Sequence, residues 1–309
     1  MKATVVIPVH NMACVLGAQL DALYHQTVAT PWEVVVVDNA STDDTLAVAQ
    51  GWARRFSRLR VVEATQRPSA AYARNVGAAN AWSTGAGAGS VGAGDVGTGT
   101  AGGQMATDAL LYCDADDIVG PGWVAAMVEA LQEHDLVTGP FETERLNPPH
   151  IAGLMPAFTT GCLATAYQFL PYATTANLGV HRGLFDALGG FSPNYRVAND
   201  LDFAWRAQLA GSTLHFEPRA LVHRRFPQNL ALVARRQVSY ASDAALLYRD
   251  YRRYGMPTNS LVGAAGAWLS LALHIPTLFL PSRRGPWCRD AGHRLGRLVG
   301  SVRHRCLYL

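Results

Sequence analysis

A doubly wound α/β sheet with a helical tail is the fold this sequence predicts, and three observations carry it. Valine-rich apolar runs at 3–9 and 32–38 read as strands buried on both faces of a parallel sheet, and 59–63 reads as a third strand. Each run is followed by a segment whose apolar residues recur at helical spacing, which is the βαβ rhythm. Polar residues gather where apolar runs end: His10 and Asn11, Asp38, and positions 114–117. In open α/β sheets, ligands bind beyond the carboxyl ends of the strands.

The first run leads through His10 and Asn11 into a helix predicted over 13–26, with Val15, Leu16, Leu20 and Leu23 on one stripe. The second ends at Asp38, and a polar loop caps a helix over 44–56. The third leads to a helix over 69–81. Residues 83–108 are almost wholly Gly, Ala, Ser, Thr and Val, which reads as a flexible insertion with too little apolar surface to offset the entropy of ordering. It contains no phosphate-loop spacing.

A fourth strand runs to Cys113 and meets Asp114, Asp116 and Asp117. Alternation at a strand end puts Asp114 and Asp116 on one side. Three carboxylates in four positions read either as a site for a hard cation such as Mg²⁺ or Mn²⁺ or as a solvated turn before a helix. Pro121 then opens a helix to about 134, and 136–140 is strand-like. The stretch 146–172 carries little periodicity, and acceptor specificity is assigned to it. Pattern returns at 174–181, and a helix beginning near Asn199 is stopped by Gly211. Short strand-like pieces follow at 213–216 and 220–223.

The 309 residues are 49% hydrophobic, enough for a large core and unlike a disordered chain. Net charge is +3, and Lys2 is the single lysine among 26 basic residues, a bias of genome composition that implies no nucleic-acid partner. The five cysteines show no CxxC spacing, which fits reduced thiols. The apolar run at 3–9 is too short for a signal h-region. The expected location is therefore the cytoplasm, peripherally on the inner face of the cell membrane.

The membrane expectation comes from the tail. An amphipathic helix is predicted over 228–254, and 261–280 is twenty residues without a formal charge, the length of a bilayer span. Arginines flank it on both sides, so an in-plane or re-entrant segment is preferred to a crossing. Seven arginines against Asp290 between positions 283 and 305 make 287–309 a basic amphipathic helix for anionic lipid. The alternative is a helix packed on the first part of the chain or on a second copy.

Ordered motifs then give a family likeness. Ile7, Pro8, Val9, His10 and Asn11 stand at the opening strand, and Asp38 begins a loop running to Asp43. Arg74 and Asn75 precede Gly77, and Asp114, Ala115, Asp116 and Asp117 form a DxD-type run. Gly189, Gly190 and Phe191 follow, then Asn199, Asp200 and Asp202, and finally Pro218 to His223. Over more than two thirds of its length the chain resembles the family 2 glycosyltransferases, inverting hexosyltransferase-type enzymes of the GT-A fold, a Rossmann-like doubly wound mixed sheet.

That resemblance implies a catalytic domain at 1–226, and the tail pattern adds a helical C-terminal region at 227–309 with 261–280 membrane-associated. The resemblance implies a nucleotide-sugar donor, UDP-linked, and a hydroxyl acceptor that is a glycan, a lipid or a small molecule. Asp200 maps onto the family's general base. Pro8, His10, Asn11, Asp38, Arg74, Asp114 and Ala115 map onto donor binding, with Asp38 reading the base. Asp114, Asp116 and His223 map onto the Mg²⁺ or Mn²⁺ site. Asn177, Asn199 and Asp202 are assigned to the acceptor or sugar. Asn199 stands where the family usually has glutamate, and Asp202 is the rival base, read alternatively as a structural partner of Arg206. Two other readings stay open: a degenerate sugar-nucleotide binder, and a sugar nucleotidyltransferase, for which the basic glycine-rich loop near the N-terminus is missing.

Overall fold

The computed structural model describes residues 1–82, 107–152, 162–258 and 260–309. The predicted insertion at 83–108 lies almost wholly outside the described residues, as does part of the stretch assigned to acceptor specificity.

Among the described residues twelve strands occur in chain order. They are β1 (Ala3–Val9), β2 (Trp32–Asp38), β3 (Leu59–Glu63), β4 (Ala109–Cys113), β5 (Ile118–Val119), β6 (Leu136–Thr138), β7 (Phe141–Glu142), β8 (Thr165–Ala166), β9 (Leu170–Pro171), β10 (Asn177–His181), β11 (Leu214–Phe216) and β12 (Val222–His223). The helices are α1 (Ala13–Tyr24), α2 (Thr45–Arg55), α3 (Ala70–Ala79), α4 (Trp123–Ala130), α5 (Pro149–Ala152), α6 (Arg182–Ala187), α7 (Asn199–Leu209), α8 (Leu230–Tyr251), α9 (Leu261–Leu273) and α10 (Pro281–Arg303).

Seven strands form the central sheet in the order β11-β6-β10-β4-β1-β2-β3. β1 pairs parallel with β2 and β4, while β10 runs antiparallel between β4 and β6, so the sheet is mixed. Strand alternation sends side chains to both faces. Val5, Ile7 and Val9 join Leu16, Leu20 and Met127 on one side, whereas Val6, Leu110 and Tyr112 join Phe185, Phe191 and Phe203 on the other. Gly77 lets α3 approach closely, since a Cβ there would lie 2.3 Å from Val6 Cγ1. The small sheet β5-β12-β7 sits at the end of β4, and register puts His223 opposite both Ile118 and Glu142.

The C-terminal helices pack onto this core. Ala198 and Trp205 of the α7 segment join Ala244, Leu247, Tyr251 and Tyr308 in a third buried cluster. α10 lies against α8 through glycines one turn apart. A Cβ at Gly292, Gly296 or Gly300 would fall 2.5, 2.4 and 2.5 Å from the carbonyl oxygens of Ala234, Val238 and Ser242. The basic amphipathic helix expected over 287–309 for anionic lipid is thus packed on one side against α8 and exposed on another. The charge-free stretch at 261–280 is broken. α9 stops at Leu273 and a 3₁₀ turn at Ile275–Phe279 containing Pro276 reverses the chain, so that Trp287 Nε1 donates to the Leu271 carbonyl at 3.1 Å. Among the described residues no helix is long and apolar enough to cross a membrane.

Candidate active site

The strand ends converge as the topology requires. Asp38 closes β2 opposite Val9, and Asp114 follows the last residue of β4 on the other flank of β1. Two strand spacings, about 10 Å, separate these carriers. Pro8 is half-buried in β1, and His10 and Asn11 are exposed just beyond it. His10 Nδ1 lies 2.9 Å from the Asn39 carbonyl, and Asn11 Oδ1 accepts from Thr42 N at 2.7 Å, so the first two strand-end loops are tied together. Asn39 anchors the second loop: its amide donates to the Ala64 and Arg67 carbonyls and accepts from Ser69 N. Asp38 is buried, with Oδ2 accepting from Ser41 N while Oδ1 has no partner.

Asp114, Asp116 and Asp117 bring ligand oxygens within 4.8 Å of one another, the one such group among the described residues. Burial pushes the Asp116 and Asp117 carboxyls up, and their acidic neighbours add to this. Asp117 Oδ1 accepts from Arg225 N at 2.8 Å, while its Oδ2 is buried without a partner. Crowded carboxylate oxygens with an orphaned member are the donor set a hard divalent cation takes, so the residues fit such an ion. Ala115 is buried and offers a ligand only its backbone. His223 falls outside the carboxylate group. Its Nδ1 lies 2.6 Å from Glu142 Oε2, where the β12–β7 pairing holds the ring, and a carboxylate on one ring nitrogen is the partner that orients a histidine whose other nitrogen takes a metal.

Arg74 joins the acidic loop to α7. It donates to Asp114 Oδ1 at 3.2 Å and to Asn199 Oδ1 at 3.1 Å. It therefore braces the acidic loop, and Asn199 is a buried bracket for that guanidinium rather than an acceptor contact. Asn75 exchanges two hydrogen bonds with the Phe191 backbone, at 2.8 and 2.9 Å. Gly190 beside it has φ 71°, and a Cβ there would lie 2.8 Å from Asn75 Oδ1.

The two aspartates of α7 part company. Asp202 is buried, and its carboxylate accepts from Tyr251 Oη at 2.7 Å and pairs with Arg206 at 2.8 Å. That consumes it and removes it as a base or acceptor contact. Among the described residues Asp200, two residues earlier, accepts only from Leu201 N at 2.9 Å, and burial raises its carboxyl to about 6 against the opposing pull of Arg74. Asn177 is a further correction. It is fully buried, its Oδ1 accepts from Trp123 Nε1, and its amide nitrogen donates to the Pro140 and Ala220 carbonyls, which leaves nothing for a sugar.

A cavity of about 400 Å³ opens over the acidic group. One wall is Asp114, Asp116 and Asp117, and the opposite wall comes from α8, through Leu232, Arg235, Arg236, Ser239 and Tyr240. Arg196 and Val197, just before α7, and Arg224 and Arg225, after β12, complete the lining. The α8 residues were missed as site residues. Their signal was present, since 232, 235/236 and 239/240 recur at helical spacing on one face.

The chain is similar to known glycosyltransferases. Residues 4–84 match the glycosyl transferase family 2 profile, and residues 109–288 match that of glycosyl transferase family group 2. Glycosyltransferase AglE of Haloferax volcanii is 27% identical over 217 residues, 69% of this chain, and the match spans 63% of that relative's own length. The mannosyltransferase PcManGT of Pyrobaculum calidifontis, solved with GDP-Man and Mn²⁺, shares the fold at TM-score 0.59 and 22% identity, covering 98% of this chain and 86% of that one. TarS 1–349 of S. aureus shares it at TM-score 0.53 and 16% identity, covering 99% and 92%.

Proposed function

The chain belongs to glycosyltransferase family 2, and from that premise we propose that it moves a sugar, with inversion, from a UDP-linked donor to a hydroxyl acceptor. The observation that carries this reading is Asp200. It is a carboxylate raised to about 6, beside the acidic loop, with no side-chain partner, while its helix neighbour Asp202 is fully engaged. A base working near neutral pH needs that combination of a free acceptor atom and a pKa close to the operating pH.

In this reading the Asp200 carboxylate takes the proton of the acceptor hydroxyl as its oxygen attacks the anomeric carbon. The bond from that carbon to the diphosphate breaks on the opposite face. Asp38, with its unpartnered Oδ1, accepts from the ring N–H of the base. His10 and Asn11 shape the loop beside it. Asp114, Asp116 and Asp117 would hold Mg²⁺ or Mn²⁺, which supplies Lewis-acid stabilisation of the departing diphosphate. Arg74 keeps Asp114 aimed and fixes the start of α7 through Asn199.

The test is a thermal-shift and product-release series with UDP and UDP-sugars, with and without Mn²⁺. UDP at a hundred times its Kd is expected to stabilise the wild type by about 2.7 kcal/mol. The gain should require the metal, and Asp116→Ala should lose it. Binding of UDP with Mn²⁺ but no release of UDP from any UDP-sugar, across a panel of acceptors, would make the chain a binder and overturn the transferase reading.

A further inference from the structure

The charge of the cavity exceeds what a donor and its metal require. Five guanidinium groups line it, those of Arg196, Arg224, Arg225, Arg235 and Arg236, against three carboxylates. A divalent cation and a nucleoside-diphosphate sugar largely cancel one another, so about two positive charges stay unmatched when both are bound. Arg196, Arg235 and Arg236 make no ion pair with any described residue. Arg224 lies over the Phe141 ring at 4.9 Å, and Arg225 donates to the Asp116 carbonyl, so these two are held on the donor side. The unpaired arginines of α8 face the acidic wall from across the cavity, where Arg236 acts on the Asp116 charge.

Resting on the glycosyltransferase reading, we infer that the acceptor is a phosphate ester, its phosphate gripped by Arg235 and Arg236 with Arg196 while its hydroxyl is presented to Asp200. A phosphate monoester carries about −1.5 to −2 at neutral pH, which matches the surplus, and guanidinium forks bind its oxygens in pairs. The shared chemistry is a phosphate monoester that carries a free hydroxyl, from a soluble sugar phosphate or from a lipid phosphate of that kind. The surface of the C-terminal helices that support the arginine wall favours the lipid source. α10 turns its glycines to α8 and presents Leu295, Leu298, Val299 and Val302 to solvent at i, i+3, i+4 and i+7, with Val302 81% exposed. The α9 turn adds Leu269, Leu273 and Phe279, the last 84% exposed. Arg283, Arg284 and Arg303 are exposed beside them, a pattern that suits an anionic bilayer surface.

The experiment is calorimetric titration of the full chain, saturated with UDP and Mn²⁺, with octyl phosphate below its micelle concentration, glucose 6-phosphate and octyl glucoside. Octyl phosphate is expected to bind most tightly and octyl glucoside not measurably. Arg235→Gln/Arg236→Gln, changing exposed side chains only, should weaken octyl phosphate at least tenfold and UDP with Mn²⁺ less than twofold. Glucose 6-phosphate binding as tightly as octyl phosphate, with the same loss in the double variant, supports the phosphate site with a soluble source. Octyl phosphate binding unchanged in the double variant overturns the inference, as does an equal loss of UDP affinity, which would make these arginines part of the donor site. The titrations are repeated without nucleotide, so a failure of UDP binding counts against the donor reading while the phosphate arm is still judged by the double variant.

Discussion

The two walls of the cavity are built in different ways. The acidic wall grows directly from the sheet: β4 pairs with β1 and β10, ends at Cys113, and the next residues are the carboxylates. The basic wall is one face of α8, more than a hundred residues later, and nothing local places it there. It is set from behind by the glycine contacts of α10 and from below by the aromatic cluster around Trp205, Tyr251 and Tyr308. It is also tied to α7, since Asp243 accepts from Val197 N and Ala198 N, and Tyr195 Oη donates to Asp250. A wall made by strand ends is as rigid as the sheet. A wall made by helix packing can be loosened without touching the chemistry.

The sharpest break between the walls is expected at Asp200, whose charge interacts with Asp114 of one wall and Tyr240 of the other. Asp200→Asn should lower transfer by about 10²–10⁴-fold, the usual contribution of a general base, with UDP affinity little changed. Asp202→Asn should retain more of the rate but lose stability, because it unpairs Arg206 and Tyr251. Acidity separates the two further. The base acts ionised, so with a carboxyl raised to about 6, kcat/KM should fall as pH drops through that region, about tenfold per unit below the midpoint. A bound cation displaces the midpoint downward. A wild-type profile flat from pH 8 to pH 4 would remove Asp200 as the base.

The same contrast explains what was legible in the sequence. β1 and β2 were readable because a buried parallel strand is a continuous apolar, valine-rich run, and the ends of β2 and β4 located Asp38 and Asp114. α8 was readable as a helix to within a few residues, but its partner was not. The Gly292, Gly296 and Gly300 spacing was in view, yet the arginines between these positions drew the reading toward lipid, and close helix contact depends on a second helix the pattern does not name. Asn177 misled for a related reason. A polar residue at the start of a strand beside the site looks available, and only the fold shows Trp123, Pro140 and Ala220 consuming its amide. For His223 the motif was legible, and what the pattern did not name was the β12–β7 register that sets Glu142 against its Nδ1.

A substitution behind the basic wall should move it alone. Gly296→Val places a branched side chain where even a Cβ would lie 2.4 Å from the Val238 carbonyl and 2.8 Å from Ala241 Cβ, both fixed parts of α8. Overpacking of this kind costs about 1–3 kcal/mol, readable as a lowered urea midpoint. Acceptor affinity should fall in the folded variant while UDP with Mn²⁺ binds as before. Equal losses of both would mean that the two walls form one mechanical unit.

The smallest expected effect tests the tie between them. α7 begins after Ala198, which has no side chain to cap the helix, and Asp243 of α8 supplies that role through bonds of 2.8 Å to Val197 N and 3.1 Å to Ala198 N. Asp243→Asn keeps an accepting oxygen in place but removes the charge, which a helix N-terminus favours by about 0.3–1 kcal/mol. The stability change should be of that order. A purely structural cap would stop there, with kcat and UDP affinity as in the wild type. If α8 also aims Asp200 through the start of α7, kcat should fall several-fold at unchanged UDP affinity, and Asp243→Glu, which restores the charge, should recover part of it. That split between rate and donor affinity places the tie in the acceptor half of the site, because the donor half hangs on the sheet, which Asp243 does not touch.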